Sequence, residues 1–146
     1  MTTDVAIESA QAQDLPAVLE LLRHSQLPTD DLERHLPTML VARHDGRIVG
    51  SAALEVYGSG ALLRSVAVHA TRRGEGVGHR LTEAALGLAR HHNVRTVYLL
   101  TTTAADFFPR FGFRPIDRTA VAAGVQTSVE FTSACPSSAL AMARDI

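Results

Sequence analysis

Tryptophan is absent from this chain of 146 residues, and cysteine occurs once, as Cys135. One cysteine cannot form an intrachain disulfide, and it supplies no cysteine/histidine zinc spacing. Apolar runs fall short of the roughly 20 residues that span a bilayer. Met1-Thr2-Thr3-Asp4 carries neither the basic nor the apolar part of a secretory leader. Neither sign of charge dominates: 14 Lys and Arg stand against 15 Asp and Glu, a net charge of -1. This balance gives no global footprint for nucleic acid or a membrane surface, so a polyanionic ligand would need a local basic patch. The seven histidines are scattered, with only His91-His92 adjacent, and no metal site is expected. Repeats, low-complexity tracts and linkers are also lacking. These absences point to a cytoplasmic protein of one domain, 1–146, long enough to bury a core.

What is present has an order. Val5-Ala6-Ile7 reads as a first strand. Asp14 is placed to cap a helix in which Leu15, Val18, Leu19 and Leu22 share one face. Thr29 is placed to cap a short helix through Leu36. Strands follow over Met39 to Arg43, Ile48 to Val56 and Ala61 to Val68, separated by Asp45-Gly46 and Gly58-Ser59-Gly60 turns. They predict an antiparallel meander. After a glycine-rich stretch, Val77, Leu81, Ala85 and Leu88 mark a helix that leads to a strand over Arg95 to Thr101. A strand, a crossover helix and a strand make a parallel pair. Ala104 to Phe111 reads as a short helix closed by Gly112. Strands over Phe113 to Asp117 and Ser138 to Met142, with a helix over Ser128 to Ala134 between them, complete an α+β reading. The pattern is weakest over 118–137.

Arg72-Arg73-Gly74-Glu75-Gly76-Val77-Gly78 lies between a strand and a helix. Glycines there let the backbone approach a phosphate, and the helix start offers unpaired N–H groups and the positive end of its dipole. Arg72, Arg73 and Arg80 add charge. A P-loop would need Gly-Lys followed by Ser or Thr, and a dinucleotide fingerprint would need glycine where His79 stands. From spacing alone, a solvated turn before an amphipathic helix is the competing reading.

Arg73-Gly74-Glu75-Gly76-Val77-Gly78 resembles the Arg/Gln-x-x-Gly-x-Gly/Ala signature of the GNAT N-acetyltransferases. Leu62 to Val68 is similar to that family's cofactor strand, and Ala105 to Phe113 to its aromatic-x-x-x-Gly-Phe segment. The resemblance implies a GNAT fold: a mixed, mostly antiparallel twisted sheet with one central parallel pair, flanked by helices. It also implies acetyl-CoA as co-substrate. Leu63-Arg64-Ser65 and Thr103 to Phe108 look like short relatives of N-acetylglutamate synthase. Phe131 to Ala139 looks like the acetyltransferases encoded with arsenic-resistance genes, which act on arsinothricin or related compounds such as phosphinothricin. The implied acceptor is the amine of a small anionic amino acid, attacked directly and without a covalent enzyme intermediate. Relatives imply a homodimer. Acetylation of a protein or peptide, and non-catalytic acetyl-CoA binding, remain the alternatives.

The resemblance assigns roles residue by residue. The backbone of Val66, Ala67 and Val68 would hold the pantetheine arm. The N–H groups of Arg73, Gly74, Glu75, Gly76, Val77, Gly78 and His79 would hold the pyrophosphate. Phe107 and Phe108 would pack along the thioester end or simply fill core. Phe108 stands where many relatives carry an acidic tyrosine, so the usual proton donor is missing. Glu55, in an otherwise apolar strand, is the candidate general base, with a raised pKa expected from burial. Alternation places Arg64 on the face of Val66 and Val68, as a clamp for a substrate carboxylate. Its alternative reading is an ion pair with Glu55. Tyr57, Thr101 and Thr102 are candidate linings of the acceptor pocket, with His69 and Thr103 beside them.

Overall fold

The computed structural model describes residues 5–146; Met1–Asp4, read above for a leader, lie outside them. The meander forms as the sequence predicts. Strands β2 (Met39–His44), β3 (Arg47–Tyr57) and β4 (Gly60–Val68) pair antiparallel in turn, and β1 (Ala6–Ser9) adds to β2. Helix α2 (Val77–His91) crosses to β5 (Thr96–Thr101), which runs parallel to β4. The chain then makes β6 (Arg114–Ile116) and β7 (Leu140–Asp145), and β7 inserts antiparallel between β5 and β6. The sheet order is β1-β2-β3-β4-β5-β7-β6, with β4–β5 its one parallel pair among the described residues.

Each face of the sheet carries a core, and side-chain alternation sorts residues between them. Leu40, Ala42, Ala52 and Leu54 pack with Val77, Leu81, Ala85 and Leu86 of α2. Val41 and Ala53, one step out of phase, pack with Val18, Leu21 and Leu22 of α1 (Leu15–His24) on the other face. Asp14 does not cap α1 with its side chain. Its Oδ2 instead accepts from Gln11 N–H at 2.9 Å and Arg43 Nη2 at 3.0 Å, which pins the helix start to β2.

The short elements depart from expectation. The stretch read as a helix from Thr29 to Leu36 is a 3-10 coil, Leu32–Thr38, with Pro37 inside it, where proline removes a ladder hydrogen bond. The segment 104–111 contracts to a 3-10 turn, Phe108–Phe111, closed by Gly112 in the left-handed region. Region 118–137 is a series of turns, Arg118–Ala120 and Val125–Thr127, ending in a five-residue π turn, Glu130–Ala134, where an α-helix was expected. No helix of the described residues is long and apolar enough to cross a membrane.

Candidate active site

β4 and β5 stay paired only from Gly60/Thr96 to Leu62/Tyr98. The departure begins in β4. Ser51 pairs with Ala67 and Ala53 with Arg64, so Ser65 and Val66 together oppose Ala52. This is a β-bulge, which bends and twists its strand. Ser65 takes φ 59, a left-handed value that costs a non-glycine residue about 1–2 kcal/mol. Two buried hydrogen bonds hold it there. Ser51 Oγ donates to the Ser65 carbonyl at 2.7 Å, and Arg64 Nε donates to Ser65 Oγ at 3.1 Å. Around the bulge, residues 63–68 line a cavity of about 1260 Å³, which residues 99–101 also line. The β4 backbone there has no β5 partner. Val66, Ala67 and Val68 therefore stand on the cavity wall.

One end of the cavity is the glycine loop. Gly74 and Gly76 have φ 85 and 83, and a Cβ on either would meet no atom within 4 Å. The first ladder bond of α2 that starts at Gly76 is Arg80 N–H to the Gly76 carbonyl at 3.0 Å. The N–H groups of Val77, Gly78 and His79 precede it and have no intrahelical acceptor. Arg72, Arg73 and Arg110 line this end. Arg73 Nε donates to the Val68 carbonyl at 3.2 Å, which ties the loop to β4. Free N–H groups, open glycine backbone and three guanidiniums fit a pyrophosphate. Glu75 is not on the wall; it is exposed and lies 3.5 Å from Arg72. Arg80 is exposed and also off the wall. Phe107 and Phe108 line the cavity; Phe108 is also buried in the core, with Phe107 packed against it.

The other end departs most from the sequence reading. The bulge reverses alternation, so Leu63, Val66 and Val68 share the α2-side core while Arg64 points to the opposite face. Its side chain is fully buried there. Nη1 donates to Glu55 Oε2 at 2.8 Å and to the Asp30 carbonyl at 2.9 Å, and Nη2 donates to the Pro28 carbonyl at 3.3 Å. Arg64 is thus committed to the protein, as its ion-pair reading has it, and ties the 28–30 loop to the sheet.

Glu55 is fully buried and does not line the cavity. Burial pushes its pKa up, but hydrogen bonds from Ser128, Tyr57 and Arg64 outweigh this and hold it below the usual range. The raised pKa expected of Glu55 is therefore corrected: its neighbours along the strand are apolar, but its neighbours in space are donors. Tyr57 is also off the wall, and its hydroxyl donates to Glu55 Oε1 at 2.5 Å. Thr101 and Thr102 do line the cavity, and Thr101 Oγ1 accepts from Ala104 N–H at 2.9 Å. His69 is exposed and off the wall.

The residue that sequence reasoning missed is Glu130. It opens the π turn, lines the cavity and is 3% exposed. Its Oε2 lies 3.3 Å from Arg64 Nε. Burial drives its pKa up to about 7, opposed by the charge of Arg64 and by a hydrogen bond from Cys135. The same burial, with the negative charge of Glu130, pushes the Cys135 thiol up to about 12. A protonated thiol is a poor nucleophile, in keeping with direct transfer. Nothing in the local sequence marks Glu130, because its burial depends on contacts with strands far away in the chain.

Residues 35–115 match the acetyltransferase (GNAT) domain family. The amino-acid acetyltransferase of Mycobacterium tuberculosis is 33% identical over 130 residues, covering 82% of this chain and 74% of that protein. That of Pasteurella multocida is 29% identical over 117 residues, and the match spans only 27% of its length. Among solved structures, Rv2747 of M. tuberculosis in complex with CoA and NLQ superposes with a TM-score of 0.82 at 26% identity, over 97% of this chain and 99% of that one. N-acetylglutamate synthase from Neisseria gonorrhoeae, complexed with coenzyme A and N-acetyl-glutamate, superposes with a TM-score of 0.84 at 20% identity, over 99% of this chain and 36% of that one.

Proposed function

The chain belongs to the GNAT acetyltransferases, which use acetyl-CoA as co-substrate, and from that premise we propose that it acetylates the amine of a small amino acid. The observation that carries this reading is the single continuous cavity. It runs from the glycine loop along the unpaired edge of β4 to Glu130, and Thr101 and Thr102 also line it. A long phosphorylated thioester and a compact acceptor fit such a shape together. The relatives named for amino-acid acetylation support the acceptor class.

Within that class, glutamate analogues such as phosphinothricin and arsinothricin come first, on the resemblance of the 131–139 segment. The chain's own residues have three tasks. The 73–79 loop binds and orients the pyrophosphate. The bulged strand offers backbone groups to the pantetheine arm and thioester. The segments 25–28 and 134–136 wall the acceptor space.

The test is a CoA-release assay with acetyl-CoA and a panel of L-glutamate, L-glutamine, phosphinothricin, other free amino acids and short peptides. Turnover of one or more free amino acids supports the reading. Turnover of peptides alone, or CoA binding without any turnover, overturns it.

A further inference from the structure

The reaction needs a group that takes a proton from the acceptor ammonium, and few cavity residues can do so. Among the described residues that line the cavity, Glu130 is the one carboxylate. The one histidine on the wall is His79, which belongs to the phosphate loop at the far end. Cys135 is held as a thiol. Glu55 and Tyr57 are off the wall and bonded to each other. We propose that Glu130 is the general base of the acetyl transfer, with Arg64 as its positioning residue. This rests on the amine-acetylating reading above.

The geometry separates two carboxylates that share one arginine. Glu55 takes the 2.8 Å hydrogen bond from Arg64, together with Tyr57 and Ser128, and so stays ionised in a structural role. Glu130 meets Arg64 only as a 3.3 Å ion-pair contact, because Nε already donates to Ser65 Oγ. Environments that push two carboxylates apart mark their separate roles. The groups that act on Glu130 are Arg64 from β4, Glu55 from β3, Asp30 from the loop before β2, and Cys135 at the end of its own turn. Burial, the largest influence, raises its pKa against the charge of Arg64 and leaves it titrating near neutrality, where a general base works best. The π turn is the device that carries it inward. Its i→i+5 closure, Cys135 N–H to the Glu130 carbonyl at 3.1 Å, also places Cys135 beside the carboxylate.

The step balances as follows. The Glu130 carboxylate takes one proton from the acceptor ammonium. The freed lone pair forms a nitrogen–carbon bond to the thioester carbonyl, and the carbon–sulfur bond breaks. The second nitrogen proton leaves to solvent. The proton on Glu130 passes to the departing CoA thiolate, so the carboxylate ends as it began, and no separate tyrosine is required at Phe108.

The experiment measures kcat/KM against pH from 5 to 10 for the wild type, Glu130→Gln and Glu55→Gln, on whichever amine of the panel the wild type turns over. Titration calorimetry with CoA controls for folding. The wild type is expected to rise and level near pH 7. Glu130→Gln is expected to keep its CoA affinity and lose about 10²–10⁴-fold at pH 7. Its profile should climb until the acceptor's own pKa, since solution must then supply the free amine. A Glu130→Gln enzyme with wild-type rate and bend overturns the assignment, as does a wild-type profile without a bend near 7, which is readable even if the variant fails to fold. If the wild type turns over only peptides, the acceptor reading fails while Glu130 is still tested on those peptides. If no amine is turned over, both fall.

Discussion

Arg64 Nη1 lies 2.8 Å from Glu55 Oε2, and neither side chain is more than 1% exposed. Such a pair is costly to break, because the survivor is left charged and out of water. Glu55→Gln should therefore lower stability by about 3–5 kcal/mol, as measured by urea unfolding at pH 7. The pKa of Glu55 is depressed on folding, so its contribution is present above the unfolded carboxylate value and lost as pH falls through the folded one. The gap between wild type and variant should therefore narrow only below the ordinary glutamate range. Equal stability of the two at pH 7 would contradict the structural role.

Glu130 carries the opposite sign. Its pKa rises to about 7 on folding, so the folded state binds its proton more tightly than the unfolded state does. The wild type should lose stability as pH rises from about 4.5 to 7 and then level off with respect to this group. Glutamine cannot ionise and should not show that loss. Melting temperatures followed from pH 5 to 8 should show Glu130→Gln gaining on the wild type across the interval. A constant offset would mean that Glu130 does not titrate there.

These two carboxylates also mark what the sequence could and could not tell. The element order, the parallel pair and the glycine loop before α2 were legible, because they depend on period, turn residues and glycines a few positions apart. Glu55 and Arg64 were legible as residues that break apolar strands. The direction of Arg64 was not. Alternation places it with Val66 and Val68, and one extra residue in the strand reverses the face beyond Ser65. Ser65 is not a glycine, and no local signal announces a bulge there. Glu130 was still less visible, since its segment reads as an ordinary helix but closes as a π turn, held by contacts with Arg64 and Ser128.

The bulge itself yields a prediction. Serine at φ 59 is tolerable because it is small and its hydroxyl accepts from Arg64. Valine is branched at Cβ and poorly suited to that backbone, so Ser65→Val should cost about 1–3 kcal/mol and flatten the strand. Ser65→Gly should stay within about 1 kcal/mol of wild type, because relief of φ offsets the lost hydrogen bond. Thermal unfolding of the three proteins decides. A valine variant as stable as the glycine one would show that the left-handed backbone is not required.

The glycine loop can be tested without touching the acceptor end. A Cβ at Gly76 meets open space, so Gly76→Ala clashes with nothing, and its penalty comes from the left-handed backbone alone, about 1–2 kcal/mol. The loop relieves that strain by rotating, which turns the N–H groups of Val77 and Gly78 away from a bound pyrophosphate. CoA affinity should fall roughly tenfold, equivalent to about 1.4 kcal/mol, when measured by calorimetry at fixed salt. Gly87→Ala supplies the control. It lies on an exposed part of α2 with no atom within 4 Å of a new Cβ, and alanine there should add about 0.5–1 kcal/mol of stability while leaving CoA affinity alone. Binding should also weaken as ionic strength rises if Arg73 and Arg110, solvent-exposed on the cavity wall, act on the phosphates. Removing Arg110 should make that dependence shallower. Equal CoA affinity for Gly76→Ala and Gly87→Ala would place the phosphate site elsewhere.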